Sequence, residues 1–206
     1  MYLTRLTLDP RNAQVRRDLA NPYDMHRSLV RAFVQNEEQT PPRFLWRLEP
    51  QINWQALPVL LVQSSEAADW SHLKAVPNYL KREPEEKAFT LHAWLLPQQR
   101  YRFRLLANPT VARERKRYGI ASQEAQLEWL SKQGQRQGFS IESAVVIASD
   151  VLKARKQTHV ISLQRACYEG NLVATDVASF ANAIQNGIGP GKAFGCGLLS
   201  LARLGR

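Results

Sequence analysis

The side chains best suited to chemistry are a tyrosine, a histidine and an arginine at helical spacing near the N-terminus. Tyr23, His26 and Arg27 follow Asn21-Pro22, a favourable N-cap with proline at the first helical position. At about 100° per residue, the three side chains fall within one sector of a helix. A phenol, an imidazole and a guanidinium can therefore converge on one ligand. The alternative interpretation is a solvated polar face.

These groups suit the cleavage of RNA. An imidazole with an unperturbed pKa near 6.5 can take or give a proton at about neutral pH, and a cation can stabilise the charge on phosphorus. When the ribose 2′-OH is the nucleophile, no metal is required, so we expect neither a metal site nor a cofactor. Carboxylates are sparse in the second half of the chain, which disfavours a two-metal nuclease. No G-x-S-x-G motif is present, and Cys167 and Cys196 form no C-x-x-C pair.

The positive charge is concentrated in the second half of the chain. The protein has 28 lysines and arginines against 18 acidic residues, a formal net charge of +10. Residues 1–98 hold 12 basic and 11 acidic side chains, whereas residues 99–206 hold 16 and 7. Such asymmetry favours a polyanionic partner, most often nucleic acid. A basic surface that binds nothing is the alternative.

A glycine-rich segment lies near the C-terminus. Half of the ten glycines fall between Gly187 and Gly197. Glycine at such density indicates backbone with positive φ or close packing. The segment is not a P-loop, because its spacing is wrong and Ala193 stands where a P-loop has serine or threonine. Loop amides with Lys192 can hold an anion, but a simple turn between a helix and a strand is equally consistent.

The order of elements predicts an α+β protein of two tandem ferredoxin-like domains, each βαββαβ. We place the boundary at Pro97-Gln-Gln, giving domains 1–97 and 98–206. Tyr101, Phe103 and Leu105 alternate with Arg102 and Arg104, which indicates a half-buried strand. Helices are predicted from Asn21 to about Gln35, from Ser122 to Gly134 or Gly138, and from Asp176 to Gly187. We expect a strand over 88–95, and loops for Arg11, Arg16 and Arg17 and for the basic run Arg113, Arg115, Lys116 and Arg117.

Several motifs together resemble the CasE-type CRISPR RNA endoribonucleases, the repeat-processing subunits of type I-E Cascade. They are Tyr2-Leu-Thr-Arg, Asp18-Leu-Ala-Asn-Pro-Tyr-Asp-Met-His-Arg-Ser-Leu29, Phe103-Arg-Leu-Leu-Ala-Asn-Pro109, Glu128-Trp-Leu130, Tyr168-Glu-Gly170 and the glycine-rich segment extended to Leu201. The resemblance implies two ferredoxin-like domains and metal-independent cleavage of precursor CRISPR RNA at the base of each repeat hairpin. The products it implies are a 2′,3′-cyclic phosphate and a 5′-hydroxyl.

The resemblance also assigns roles to residues. The family's catalytic histidine and its companion tyrosine fall on His26 and Tyr23, and a basic hairpin that enters the RNA groove falls by position on Lys153, Arg155 and Lys156. With the charged residues above, the candidate RNA-binding set is Arg27, Arg31, Arg102, Arg104, Arg113, Arg115, Lys116, Arg117, Lys153, Arg155, Lys156, Gly189, Gly191 and Lys192. The implied partners are CRISPR repeat RNA, the mature crRNA and other Cascade subunits.

Two other functions are consistent with part of the sequence. A non-catalytic RNA-binding scaffold of a ribonucleoprotein explains the charge and the fold, and a ribosome-associated RNA binder explains the charge alone. The longest apolar runs, such as Val59 to Val62, are too short to span a bilayer. An alternating strand begins at Tyr2, so we expect no signal peptide and a cytoplasmic location.

Overall fold

The computed structural model describes residues 1–36, 38–51, 53, 55–156 and 159–204, without the side chains of residues 155, 156 and 159. The backbone divides into two compact units. The first contains residues 1–89 with the short segments 154–159 and 193–195, and the second contains residues 90–153, 160–192 and 196–206. The boundary at residue 97 stays a prediction.

The first unit contains a four-stranded antiparallel sheet with the order β2-β3-β1-β4. This is the strand order of a ferredoxin-like fold. Its elements are β1 (Tyr2–Thr7), α1 (Ala13–Ala20), α2 (Pro22–Val30), β2 (Phe44–Leu48), β3 (Val59–Ser64), α3 (Ser71–Lys74) and β4 (Glu85–Ala88).

The core of the first unit lies between this sheet and α2. Met25, Leu29 and Ala32 are each at most 4% exposed and pack with Leu6 and Leu60. Burying a methionine or leucine side chain stabilises the fold by about 1.5–3 kcal/mol. The apolar side of α2 is therefore buried, and its burial turns the opposite side of the helix outward.

The second unit repeats the same topology, with the sheet order β10-β5-β9-β8. Tyr101, Phe103 and Leu105 on the central strand are at most 2% exposed, as their alternation predicts. The elements of the chain after β4 are α4 (Leu91–Trp94), β5 (Arg100–Ala107), β6 (Thr110–Arg113), β7 (Lys116–Gly119), α5 (Gln123–Arg136), β8 (Phe139–Lys156), β9 (His159–Ala174), α6 (Val177–Asn186), a 3₁₀ turn (Lys192–Phe194) and β10 (Leu199–Arg203).

Helix starts are set by the residues that the sequence indicates. The side chains of Asn21, Ser122 and Asp176 accept hydrogen bonds from backbone amides in the first turns of α2, α5 and α6. Each cap satisfies amides that have no partner within the helix. At the other end of α6, Gly187 has φ 77° and terminates the helix.

Four parts of the predicted secondary structure differ from the observed one. The segment with Arg16 and Arg17 is α1, capped by Asn12, and not a loop. The strand expected over 88–95 is instead β4, which ends at Ala88, followed by α4. β4 is an edge strand whose four side chains are all exposed, so it shows no apolar alternation.

The third difference is the basic run, which is the β6–β7 hairpin rather than a loop. Glu114 and Arg115 at its turn have φ of 49° and 64°, the combination of a type I′ turn. These residue types do not signal such a turn, because asparagine and glycine are its usual occupants. The helix α2 also ends at Val30, earlier than predicted.

No helix among the described residues is long and apolar enough to cross a lipid bilayer.

Candidate active site and RNA-binding residues

The face of α2 that carries Tyr23, His26 and Arg27 is accessible to a ligand. Tyr23 and His26 are half-buried, and Arg27 is exposed. All three lie within the helix, so the predicted spacing of the phenol, imidazole and guanidinium is present. Arg31 follows directly after α2 and is exposed as well.

The imidazole of His26 rests on an aromatic cluster of the first unit. Its ring stacks on Phe44 with 5.2 Å between centroids, and Phe44 stacks on Phe33 at 4.9 Å. Burial against these rings lowers the pKa of His26 below its ordinary value of 6.5. The neutral ring, which can accept a proton, is therefore favoured at neutral pH.

The two ring nitrogens of His26 differ in access. Nδ1 is buried and has no hydrogen-bond partner within the described part of the chain. A buried nitrogen of this kind cannot reach a ligand without a rearrangement of its neighbours. We therefore expect Nε2, rather than Nδ1, to take part in any proton transfer.

A buried carboxylate on α1 holds the buried side of α2 in place. Asp18, at the end of α1, is 0% exposed, and its Oδ2 accepts hydrogen bonds at 2.7 Å from both Ser28 Oγ and Tyr79 Oη. Arg17 pairs with the same carboxylate, at 3.3 Å from Oδ1. Burial, with the nearby Asp18 charge, raises the pKa of the Tyr79 phenol, so the phenol stays protonated and donates.

The backbone of Ser28 is held too, since its carbonyl oxygen lies 2.9 Å from His72 Nε2. The helix that carries Tyr23 and His26 is thus fixed by α1 and by the segment around α3. Sequence reasoning missed Asp18, Ser28 and Tyr79, because residues 10 and 61 positions apart show no common pattern along the chain.

Within the glycine-rich segment, the two candidate RNA-binding glycines, Gly189 and Gly191, lie in a tightly packed loop of the second unit. Gly189 has φ 76°, and an added Cβ there would lie 3.0 Å from Trp129. Gly191 has φ 83°, and its Cβ would lie 3.3 Å from the Cβ of Asn108. Both positions therefore require glycine for their backbone and for their close packing.

The side chain of Lys192 stabilises this loop by a hydrogen bond within it. It is half-buried, and its Nζ donates to the carbonyl oxygen of Gly189 at 2.7 Å. Further backbone bonds close the loop, from Ile188 N to Gly197 O and from Gly197 N to Leu106 O. The contact of Lys192 with RNA stays a prediction.

The basic candidates on β5 and β8 differ in exposure and in whether an acidic residue offsets their charge. Arg104 pairs with Glu169 at 2.5 Å across β5 and β9, so much of its charge is offset, whereas Arg102 is exposed. Lys153 is exposed near the end of β8, and the side chains of Arg155 and Lys156 lie outside the described residues. These three residues belong to the long strand β8, which neighbours β9 in the sheet.

The hairpin residues divide between two faces. Arg113 lies opposite Lys116 and Ala112 lies opposite Arg117. Opposed residues in an antiparallel pair point to the same side, and neighbours along a strand point to opposite sides. Arg113 and Lys116 therefore share one face of the β6–β7 hairpin, and Arg117 lies on the other.

Within the described residues, no group of three or more histidine, cysteine, aspartate or glutamate side chains could hold a metal ion. Cys167 and Cys196 are both buried, and burial raises the pKa of the Cys196 thiol to about 12. A thiolate nucleophile at Cys196 is therefore not supported.

Comparison with known proteins places these features in a family. The profile of the family described as "CRISPR associated protein" matches residues 1–203. The CRISPR-associated endoribonuclease Cse3 of Thermus thermophilus is 37% identical, over 98% of this chain and 100% of its own length. The Cascade subunit CasE of Escherichia coli is 50% identical over 42 residues, which are 20% of this chain and 21% of CasE.

Solved structures agree with this relationship. A Cse3 endoribonuclease bound to a 19-nucleotide RNA matches with a TM-score of 0.88 and 34% identity, over 98% of this chain and 100% of that one. Thermus thermophilus Cse3 bound to an RNA representing a pre-cleavage complex matches with a TM-score of 0.85 and 33% identity, over 98% of both chains. The chain has the tandem ferredoxin-like fold of these neighbours and belongs to the Cse3/CasE family of CRISPR-associated proteins.

Proposed function

We propose that this protein is an endoribonuclease that cleaves precursor CRISPR RNA. It binds the hairpin of each repeat, cuts at the base of the stem and keeps the mature crRNA. The observation that carries the proposal is the imidazole of His26, which lies on the same helix face as Tyr23 and Arg27. This imidazole is half-buried, and its burial lowers its pKa. The family relationship and the RNA complexes of Cse3 support the same substrate.

The proposed reaction is attack of a ribose 2′-oxygen on the adjacent phosphorus. His26 Nε2 takes the 2′-OH proton as the P–O5′ bond breaks, and the products are a 2′,3′-cyclic phosphate and a 5′-hydroxyl. The 5′-oxygen leaves with a proton, which the histidinium or water supplies. Tyr23 orients the 2′-OH, and Arg27 offsets the charge that develops on the phosphoryl oxygens.

RNA binding is assigned to basic side chains and to the glycine loop. Stem recognition suits these groups, because A-form RNA is read largely by its shape and backbone. The proposed set comprises Arg27, Arg31, Arg102, Arg104, Arg113, Arg115, Lys116, Arg117, Lys153, Arg155, Lys156, Gly189, Gly191 and Lys192. The further partners are the other subunits of a Cascade complex, in agreement with the CasE relationship. The reaction takes place in the cytoplasm, where the precursor transcript is made.

The decisive experiment replaces one oxygen of the substrate. Repeat RNA with a single 2′-deoxy nucleotide before the cut should bind but stay intact, while unmodified RNA is cleaved in EDTA. Cleavage of the deoxy substrate would mean that water or a metal-bound hydroxide attacks, and the proposed mechanism would be wrong.

The role of the imidazole is tested separately. His26→Ala should lower the cleavage rate by about 10²–10⁴-fold, the usual scale of general acid–base catalysis, with binding of intact RNA retained. His92→Ala is the matched control, because His92 is exposed on α4. Equal rates for the two variants would remove His26 from the chemistry.

A further inference from the structure

The second unit contains a groove whose lining residues, apart from Arg113, are not in the proposed RNA-binding set. It lies between the β6–β7 hairpin and α5 and has a volume of about 780 Å³. This volume is within the range of pockets that take small ligands, so a group of nucleotide size fits. The groove is open along one side, with both walls formed by regular elements.

The hairpin wall presents an aromatic ring. Tyr118 lines the groove and is 48% exposed, and its cross-strand partner Val111 is 37% exposed. The next pair on this face is Arg113 and Lys116. An exposed phenol beside an apolar side chain and two cations offers a ring on which a base can stack and positive charge for its phosphate.

The helix wall adds positive charge at a regular spacing. Glu128, Lys132 and Arg136 follow one another at i, i+4 and i+8 on α5, so they lie along one face. Lys132 pairs with Glu128 at 2.6 Å. Among the described lining residues, Glu128 is the one carboxylate against three cations, so the groove attracts anions.

The floor between the two walls is held in place. Trp129 lines the groove, is 8% exposed and stacks on Tyr168 with 6.3 Å between ring centroids. Gly189 packs on the far edge of the same indole. The floor is therefore supported by the core and by the glycine loop, and the groove keeps its shape without a ligand.

We propose that this groove binds an unpaired nucleotide of the RNA that flanks the repeat hairpin. The base stacks on Tyr118, and its neighbouring phosphates contact Arg113, Lys132 and Arg136. This inference rests on the proposed function, and it adds a second RNA site of different chemistry. Paired bases are stacked inside a stem, whereas unpaired bases are free to stack on aromatic side chains.

The test compares a bare repeat hairpin with the same hairpin carrying a short single-stranded extension at its 5′ or 3′ end. For the wild type, one extension should tighten binding about tenfold, within the range measured for a single stacked base. Tyr118→Ala should abolish this advantage, and Tyr118→Phe should keep it, since the ring remains. Leu96→Ala is the matched control, because Leu96 is an exposed apolar side chain outside the groove.

A second measurement locates the contact. A 4-thiouridine in the active extension should crosslink to the peptide that contains Tyr118. The inference is overturned if neither extension changes the affinity of the wild type, or if Tyr118→Ala weakens both RNAs equally. It is also overturned if Tyr118→Ala keeps the tenfold advantage but loses Cascade subunits on purification, which would make the groove a protein-docking site.

Failure of this inference is distinguishable from failure of the proposed function. If the groove does not bind RNA, the repeat hairpin is still cleaved through its 2′-OH, and the extensions do not increase its affinity for the protein. If the proposed function is wrong, the repeat hairpin is neither preferred nor cleaved. In that case, retention of the crosslink with an unrelated single strand would still support the groove.

Discussion

His26 is the residue whose surroundings bear most directly on the proposed chemistry. The stack on Phe44 and the burial of Nδ1 both remove water from the ring, and loss of water disfavours its charged form. The same packing fixes the ring plane. One set of contacts therefore sets the protonation state of the imidazole and the direction of the nitrogen that remains accessible.

The pH dependence of cleavage follows from this lowered pKa. Above the pKa the ring is neutral and can accept the 2′-OH proton, so the rate should rise with pH through a midpoint below 6.5 and be level by pH 7. The measurement is a single-turnover rate against pH at protein concentrations well below saturation, because this second-order rate reports the pKa of the free protein. A midpoint above 6.5 would contradict the assignment of neutral His26 as the base.

At the scale of elements, the hydrogen bonds of Asp18 with Ser28 and Tyr79 hold the buried side of α2 in place. The opposite, polar side of the helix faces outward. Asp18→Asn removes the carboxylate that accepts from Ser28 and Tyr79, and leaving buried donors without good acceptors costs about 1–3 kcal/mol. We expect the free energy of unfolding to fall by that amount, and the cleavage rate to fall more than hairpin affinity. Glu66→Gln, at an exposed carboxylate of the same unit, is the control. Equal effects of the two substitutions would contradict this role.

The glycine loop makes a second prediction at this scale. A non-glycine residue with positive φ costs about 1–2 kcal/mol, and this cost is common to Gly189→Ala and Gly191→Ala. Gly189→Ala also meets the buried Trp129 indole at 3.0 Å, whereas Gly191→Ala meets Asn108 at 3.3 Å. We expect the larger loss of stability at Gly189, measured by denaturant unfolding. If both proteins are as stable as the wild type, the loop is a tolerant connector.

At the scale of the whole molecule, the basic excess should make RNA binding strongly dependent on salt. For single-stranded and duplex DNA the slope of log K against log salt is about −0.7 to −0.9 per neutralised phosphate, and a similar scale is expected here. Replacing Lys153, Arg155 and Lys156 by alanine should weaken hairpin binding and flatten the slope. Lys74→Ala is the control, because Lys74 pairs with Glu83 at 2.6 Å. An unchanged slope in the triple variant would remove this segment from the RNA surface.

The net charge overstates the positive surface available to RNA. Arg100, Arg104 and Arg165 pair with Glu142, Glu169 and Asp150 across strands of the second unit. Each pair offsets a cation that the sequence counts as available. The count of basic residues therefore exceeds the number of unpaired cations that the second unit offers to an anion.

Much of this protein was predictable from the sequence because the responsible interactions are local. Asn21-Pro22 starts α2, Asp176 and Gly187 bound α6, and alternation places Tyr101, Phe103 and Leu105 inside. Caps, turns and periodic burial act between residues a few positions apart, so their signals are visible along the chain. The spacing of Tyr23 and His26 on one helix face has the same origin.

Other features are decided by the tertiary structure alone. Asp18 meets Tyr79, Arg104 meets Glu169 and Gly189 meets Trp129, across separations of about 60 residues. Only sheet register and helix packing bring such pairs together, so no local sequence pattern predicts these contacts. The lowered pKa of His26 is of the same kind, because Phe44 and its neighbours must first be assembled around the ring. Residue types determine which chemistry is available, and burial among distant partners decides the state in which it is held.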